Sequence, residues 1–213
     1  MAFRGWPVEA IEFYEGLEAD NSKAYWQDHK SVYEQCVQRP MQELLAELAP
    51  EFGEGKIFRP YRDVRFSADK SPYKTSIAAT LGTAGYIQLS AEGLATGSGT
   101  YVMASDQLER YRQAVIDDQL GGELVQVVRT LNRAGCDVTA HETLKTCPRG
   151  YPKDHPRVDL LRHKGLISWK QWPVAAWLGT AQAKKRVVEF LRTSVPLRDW
   201  LAANVGESDA PIR

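Results

Sequence analysis

Between Phe58 and Thr75 the chain reads Phe-Arg-Pro-Tyr-Arg-Asp-Val-Arg-Phe-Ser-Ala-Asp-Lys-Ser-Pro-Tyr-Lys-Thr, its densest run of cationic, aromatic and carboxylate side chains. Arg59, Arg62, Arg65, Lys70 and Lys74 stand there against only Asp63 and Asp69. Guanidinium forks and ammonium point charges at this density suit a phosphate or a carboxylate. The expected chemistry is recognition of an anionic small molecule. The competing role for the same arginines is structural, an ion-pair network inside a non-catalytic interaction module.

Read as a strand, Phe58 to Phe66 sends Arg62, Val64 and the two phenylalanines to one face and Arg59, Tyr61, Asp63 and Arg65 to the other. Ser71 followed by Pro72 has the form of an N-cap and first helical residue, so a short helix is expected to aim free N–H groups at the same anion.

A second basic segment, residues 149–170, holds Arg149, Lys153, Arg157, Arg162, Lys164 and Lys170 against Asp154 and Asp159. Its Arg149 to His155 loop is expected to close over the arginines, adding Arg149, Lys153 and His155 to the ligand-binding set. Asp63 and His155 are the candidate general bases of a third reading, a hydrolase or transferase. A metal site can be drawn from His155, Asp159 and His163, with Asp154 adjacent. Histidines between prolines more commonly anchor a loop, so neither a metal nor a cofactor is expected. Ser67-Ala-Asp-Lys70 matches the Ser-x-x-Lys of serine acyl-transfer enzymes, but the companion Ser-x-Asn and Lys-Thr-Gly are missing.

Composition narrows the classes further. At 213 residues and 43% hydrophobic content the chain can bury one sizeable core. A formal net charge of zero disfavours a generic nucleic-acid or membrane-surface binder. The distribution is uneven: residues 1 to 57 carry five basic groups against eleven acidic ones, so acidic helices are expected around a positive pocket. Cys36, Cys136 and Cys147, without a Cys-x-x-Cys spacing, argue against a disulfide framework and for a reducing cytoplasm. No signal-peptide pattern opens the chain, and its longest apolar run, Trp172 to Leu178, is broken by Pro173, so no membrane span is expected. Trp169, Trp172 and Trp177 lie in a basic stretch; core burial or a protein-partner surface suits them better than base stacking.

These groups need elements to position them. Pro7 opens a first amphipathic helix, and Asn21 or Ser22 caps a second carrying Tyr25, Trp26, His29, Val32 and Tyr33, with a break or kink at Pro40 before the stripe Leu44, Leu45 and Leu48. Trp26 and Tyr33 belong to the core. Ser76 to Leu81, Tyr86 to Leu89 and Leu94 to Met103 read as an antiparallel meander, with Gly97 and Gly99 marking a bulge or a close approach. Asp106 and Glu109 suggest a capping box, a further helix follows Gly121-Gly122 and stops at Gly135, and Val138 to Leu144 makes another strand. Arg157 to His163 gives one or two helical turns, and helices around Val187 and Trp200 finish the chain. The expected fold is one α+β domain over residues 1–204, an antiparallel or mixed sheet packed by N-terminal, central and C-terminal helices, with a disordered polar tail at 205–213.

Taken together, Tyr61 to Thr75, Gly85-Tyr-Ile-Gln-Leu-Ser90 and Arg149-Gly-Tyr-Pro-Lys-Asp-His-Pro156 resemble the bacterial and fungal conserved hypothetical proteins grouped as domain of unknown function 2461. Phe3-Arg-Gly-Trp6 and the Asn21 to Trp26 segment are similar too, and the resemblance runs to about Leu201. It implies a single intracellular α+β domain and carries no activity or functional residue with it.

Overall fold

A computed structural model describes residues 2–65 and 68–209. The fold is α+β, with one six-stranded antiparallel open sheet. Its strands are β1 (Gly55–Ile57), β2 (Ser76–Leu81), β3 (Gly85–Ser90), β4 (Gly93–Thr100), β5 (Asp137–Thr139) and β6 (Leu166–Trp172), ordered β1-β2-β3-β4-β6-β5. By contact density the chain forms two compact units, residues 1–96 with 171–190 and residues 97–170 with 191–213.

In the first unit, helix α1 (Val8–Ala19) buries Ile11, Phe13, Tyr14 and Leu17. Ser22 caps α2 (Lys23–Val32), its Oγ accepting from the Tyr25 N–H at 3.1 Å. At Pro40 the helix does not break. A π-helical stretch (Tyr33–Gln38) leads directly into α3 (Arg39–Phe52), the Arg39 N–H bonding back five residues to Glu34. The wider turn falls just before a residue with no N–H to donate. Trp26, Tyr33, Leu44, Leu45 and Leu48 are buried, as their spacing predicts.

The meander is where the periodicity places it. In the β2–β3 pair Ile77 faces Leu89 and Ala79 faces Ile87, all four buried; of the intervening positions Ala78 is buried as well and Thr80 is half-buried. The third strand ends at Thr100, short of Met103. Gly99 has φ +125°, and a Cβ there would lie 2.4 Å from the Leu166 carbonyl oxygen. A Cβ on Gly97 would meet the Trp169 ring at 2.9 Å, so the close approach is to β6.

In the second unit, α4 (Ser105–Ile116) begins two residues before the expected box. Its N-cap is Ala104, whose N–H donates to Gln107 Oε1 at 3.0 Å. Helix α5 (Asp118–Arg133) starts ahead of Gly121-Gly122 because the Asp117 carboxylate accepts from the N–H groups of Gln119 and Leu120. Gly135, with φ +71°, ends it. The predicted 138–144 strand is not continuous: Asp137–Thr139 pairs with β6, and further on an isolated antiparallel bridge joins Thr143 to His163. Helix α6 (Val158–Leu161) is one turn. Helices α7 (Gln182–Thr193) and α8 (Val195–Asn204) follow, Trp200 Nε1 donating to the Leu120 carbonyl at 3.0 Å. Beyond α8 the backbone is tied down: Arg110 donates to the carbonyls of Val205 and Glu207, and Ser208 Oγ and the Asp209 N–H donate to Asp106. The rest of the predicted tail, 210–213, lies outside the described residues.

Candidate functional site

The arginine-rich stretch is a loop. Phe58 makes the last ladder bond to β2, its N–H reaching the Ala78 carbonyl at 2.9 Å, and residues 58–65 do not continue as the predicted strand. The chain folds back on itself instead, through a single antiparallel bridge between Tyr61 and Tyr73. Arg62 N–H donates to Pro72 O at 2.9 Å and Lys74 N–H to Pro60 O at 2.8 Å. Such flanking bonds define a non-hydrogen-bonded pair, in which side chains sit closest. The two tyrosine rings are accordingly 5.4 Å apart. Each proline contributes the carbonyl it has and is spared the N–H it lacks. No helix starts at Ser71-Pro72: the Ser71 N–H donates to Asp69 Oδ1 at 2.9 Å, a turn in place of a cap.

The neck of the loop rests on the aromatic face of α2. Buried Tyr73 stacks on Trp26 with centroids 4.3 Å apart and planes 6° from parallel, and Tyr61 approaches Trp26 at 6.1 Å. Asn21, expected as a cap, clamps Tyr73. Its Nδ2 donates to the Tyr73 carbonyl at 3.1 Å and its Oδ1 accepts the Tyr73 N–H at 3.0 Å. Sequence reading missed this role and the neck itself, although the repeated Pro-Tyr dipeptide at 60–61 and 72–73 marks both sides of it.

Above the neck the charges pair within the loop. Arg62 Nη1 meets Asp69 Oδ2. Arg65 grips Asp63 with two parallel bonds, Nε to Oδ1 at 2.9 Å and Nη2 to Oδ2 at 2.7 Å, while 76% exposed. Lys70 Nζ donates to the Val64 carbonyl at 3.0 Å, Lys74 Nζ lies 5.5 Å from the Phe58 ring centre, and Arg59 is exposed. The Arg65 side chain and N–H hold the Asp63 carboxyl below its ordinary range. The Ser71 hydroxyl and N–H, then the Arg62 guanidinium, bring Asp69 down to about 2. Both carboxylates are thus ionised and already engaged, which makes Asp63 a poor proton acceptor. Ser67, of the Ser-x-x-Lys match, and Phe66 lie outside the described residues.

The other predicted ligand residues, Arg149, Lys153 and His155, belong to the second unit, where Arg149 and Lys153 are exposed. His155 Nδ1 accepts the Arg157 N–H at 3.1 Å and its carbonyl accepts from Val158, the loop-anchoring arrangement. Three of the six cations of this segment, Arg157, Arg162 and Lys170, serve main-chain carbonyls. Arg157, its side chain 13% exposed, donates from Nε to Val115 at 2.6 Å and from Nη2 to Ile116 and Asp117, closing the C-terminus of α4. Arg162 reaches Leu144 at 2.6 Å and Lys170 reaches Ala134 at 2.6 Å. Asp159 pairs with Arg162, and among the described residues no group of three or more His, Cys, Asp or Glu is arranged to hold a metal. Trp169, Trp172 and Trp177 are each half-buried; Trp177 carries the Arg186 guanidinium 4.5 Å from its ring centre and lies edge-on to Trp172.

No curated protein and no solved structure matches the chain. A family match does span it, over residues 9–200, and takes in the Asn21 clamp, the pinned loop, the meander and the Arg157 closure alike. The chain therefore belongs to the family described as conserved hypothetical protein, DUF2461.

Proposed function

We propose that the loop from Arg59 to Lys74 binds an anionic small molecule bearing a phosphate or carboxylate. The observation that carries this is the presentation of five cations against two carboxylates on an exposed loop whose neck is fixed by the Tyr61–Tyr73 bridge and the Asn21 clamp. The Arg62–Asp69 and Arg65–Asp63 pairs are solvent-exposed, and exposed pairs contribute little and exchange readily. A phosphate dianion competes for the same guanidinium forks, with the aspartates serving to pre-position them in its absence.

A second reading has its own support, since those same pairs suit a non-catalytic interaction module with structural arginines. A thermal-shift titration with phosphate, sugar phosphates and dicarboxylates separates the two. Ligand at about a hundredfold excess over its Kd raises stability by about 2.7 kcal/mol. The binding reading expects that shift in the wild type and its loss in Arg62→Ala and Arg65→Ala, both folded. No shift in the wild type, with both variants melting far earlier, selects the structural role. Cys36, Cys136 and Cys147 are not joined in a disulfide, which supports a cytoplasmic setting; no described helix is long and apolar enough to cross a membrane.

A further inference from the structure

The loop carries a feature that simple anion binding does not require. Phe58 and Tyr61, 38% and 50% exposed, are the large exposed aromatics among the described residues of the first unit, and they flank Arg59 in the run Phe-Arg-Pro-Tyr-Arg. Neither ring lacks an apolar neighbour: Phe58 lies 6.4 Å from Tyr86, and Tyr61 leans on Trp26 and Tyr73. Each nevertheless leaves much of its surface in water, where an apolar ring is unfavourable. Lys74 Nζ lies over the Phe58 ring, and in sequence Tyr61 stands between Arg59 and Arg62 with only Pro60 intervening. Tyr61 is also held in place, its backbone in the bridge and its ring against the buried Trp26–Tyr73 stack, so a partner stacking on it orders little that is loose. Rings set among cations with few carboxylates are what recognises a planar base joined to a phosphate.

We propose that the anion taken by this loop is a nucleoside phosphate, its base stacked on Tyr61 and its phosphate held by Arg59 and Arg62; the inference rests on the anion-binding reading above. The same chemistry is offered by a free nucleotide and by a single strand. The chain's net charge of zero favours the free nucleotide, because a long backbone needs an extended positive track.

Isothermal titration of the full chain with adenosine monophosphate, ribose 5-phosphate, a short oligothymidylate and an abasic strand of equal length tests it. Adenosine monophosphate is expected to bind about tenfold more tightly than ribose 5-phosphate. Tyr61→Leu should bring the nucleotide down to the sugar phosphate's affinity and leave the sugar phosphate unchanged, while Tyr61→Phe keeps the difference. Should Tyr61→Leu fail to fold, as read by circular dichroism, the wild-type ratio alone decides. If the nucleotide does not bind but oligothymidylate binds more tightly than the abasic strand, the nucleoside phosphate is taken from a strand. Equal affinities within both pairs overturn the inference and leave the anion reading standing. If none of the four anions binds, the nucleoside-phosphate inference falls, and the anion-binding reading falls with it when the dicarboxylates of the thermal-shift series give no shift either.

Discussion

Asn21 and Tyr73 hold each other through two hydrogen bonds, 3.1 Å from the amide to the carbonyl and 3.0 Å from the N–H to the amide oxygen, across fifty-two positions of sequence. The side chain offers the donor and acceptor that a neighbouring strand would offer, so Tyr73 is paired as if in a sheet. Asn21→Ala leaves both Tyr73 backbone groups without that partner and should cost about 1–3 kcal/mol in urea unfolding. Asn21→Asp keeps the acceptor and loses the donor, and should fall between the two. Because the clamp fixes the neck of the loop, folded Asn21→Ala should also bind its anion more weakly.

The Arg157 guanidinium spreads over the carbonyls of Val115, Ile116 and Asp117. An ammonium group cannot span all three in one plane. Arg157→Lys should therefore recover less than half of the stability lost in Arg157→Ala, itself about 1–3 kcal/mol by chemical denaturation. Anion binding, if it resides in the first unit's loop, should be unchanged in both variants.

Adjacent glycines in α5 should respond with opposite signs. A Cβ on Gly121 would lie 2.2 Å from the Val115 carbonyl oxygen and 2.6 Å from Arg157 Nε, whereas one on Gly122 meets nothing within 4 Å. Gly121→Ala must displace either backbone or the guanidinium and should destabilise by about 1–3 kcal/mol. Gly122→Ala should stabilise by about 0.5–1 kcal/mol, since alanine has the better helix propensity and the space is open. Melting temperatures of the two single variants check both.

Asp106 ties the residues after α8 to α4. The Ser208 hydroxyl, followed by the Asp209 N–H and other donors, holds its carboxyl down at about 2, against about 3.9 for a free aspartate. A depressed folded value means the tether is at full strength above about pH 4 and is lost as pH falls toward about 2. Exchange of the Asp209 amide, which donates to Asp106 at 2.9 Å, should speed up over that window beyond the ordinary pH dependence of exchange. In Asp106→Asn the extra dependence should vanish.

Much of the scaffold was legible because its signals are local. Trp26, Tyr33 and Leu44 recur at helical spacing, Ser22 stands before its helix, and Gly82-Thr-Ala-Gly85 separates two runs of strand formers that pair as read. The loop was misread for the same reason. Alternation over Phe58 to Phe66 is a strand pattern, and only a partner twelve residues away, Tyr73, makes Tyr61 turn back instead. Ser71-Pro72 has helix-start chemistry, but Asp69 captures the Ser71 N–H first. At the candidate site, residue types were visible and their partners were not: nothing local says that Arg62 meets Asp69 or that Arg157, forty positions from Asp117, closes a helix.

The five-residue step from Glu34 to Arg39 works as an inserted residue that never left the helix. Each residue advances an α-helix by about 100°, so removing one between Tyr33 and Gln38 would restore ordinary pitch while turning everything after it by that angle. Leu44, Leu45 and Leu48, now buried with Met41, would swing away from the core. In that sense the length of this one turn is a phase setting, and the hydrophobic stripe of α3 has meaning only relative to it.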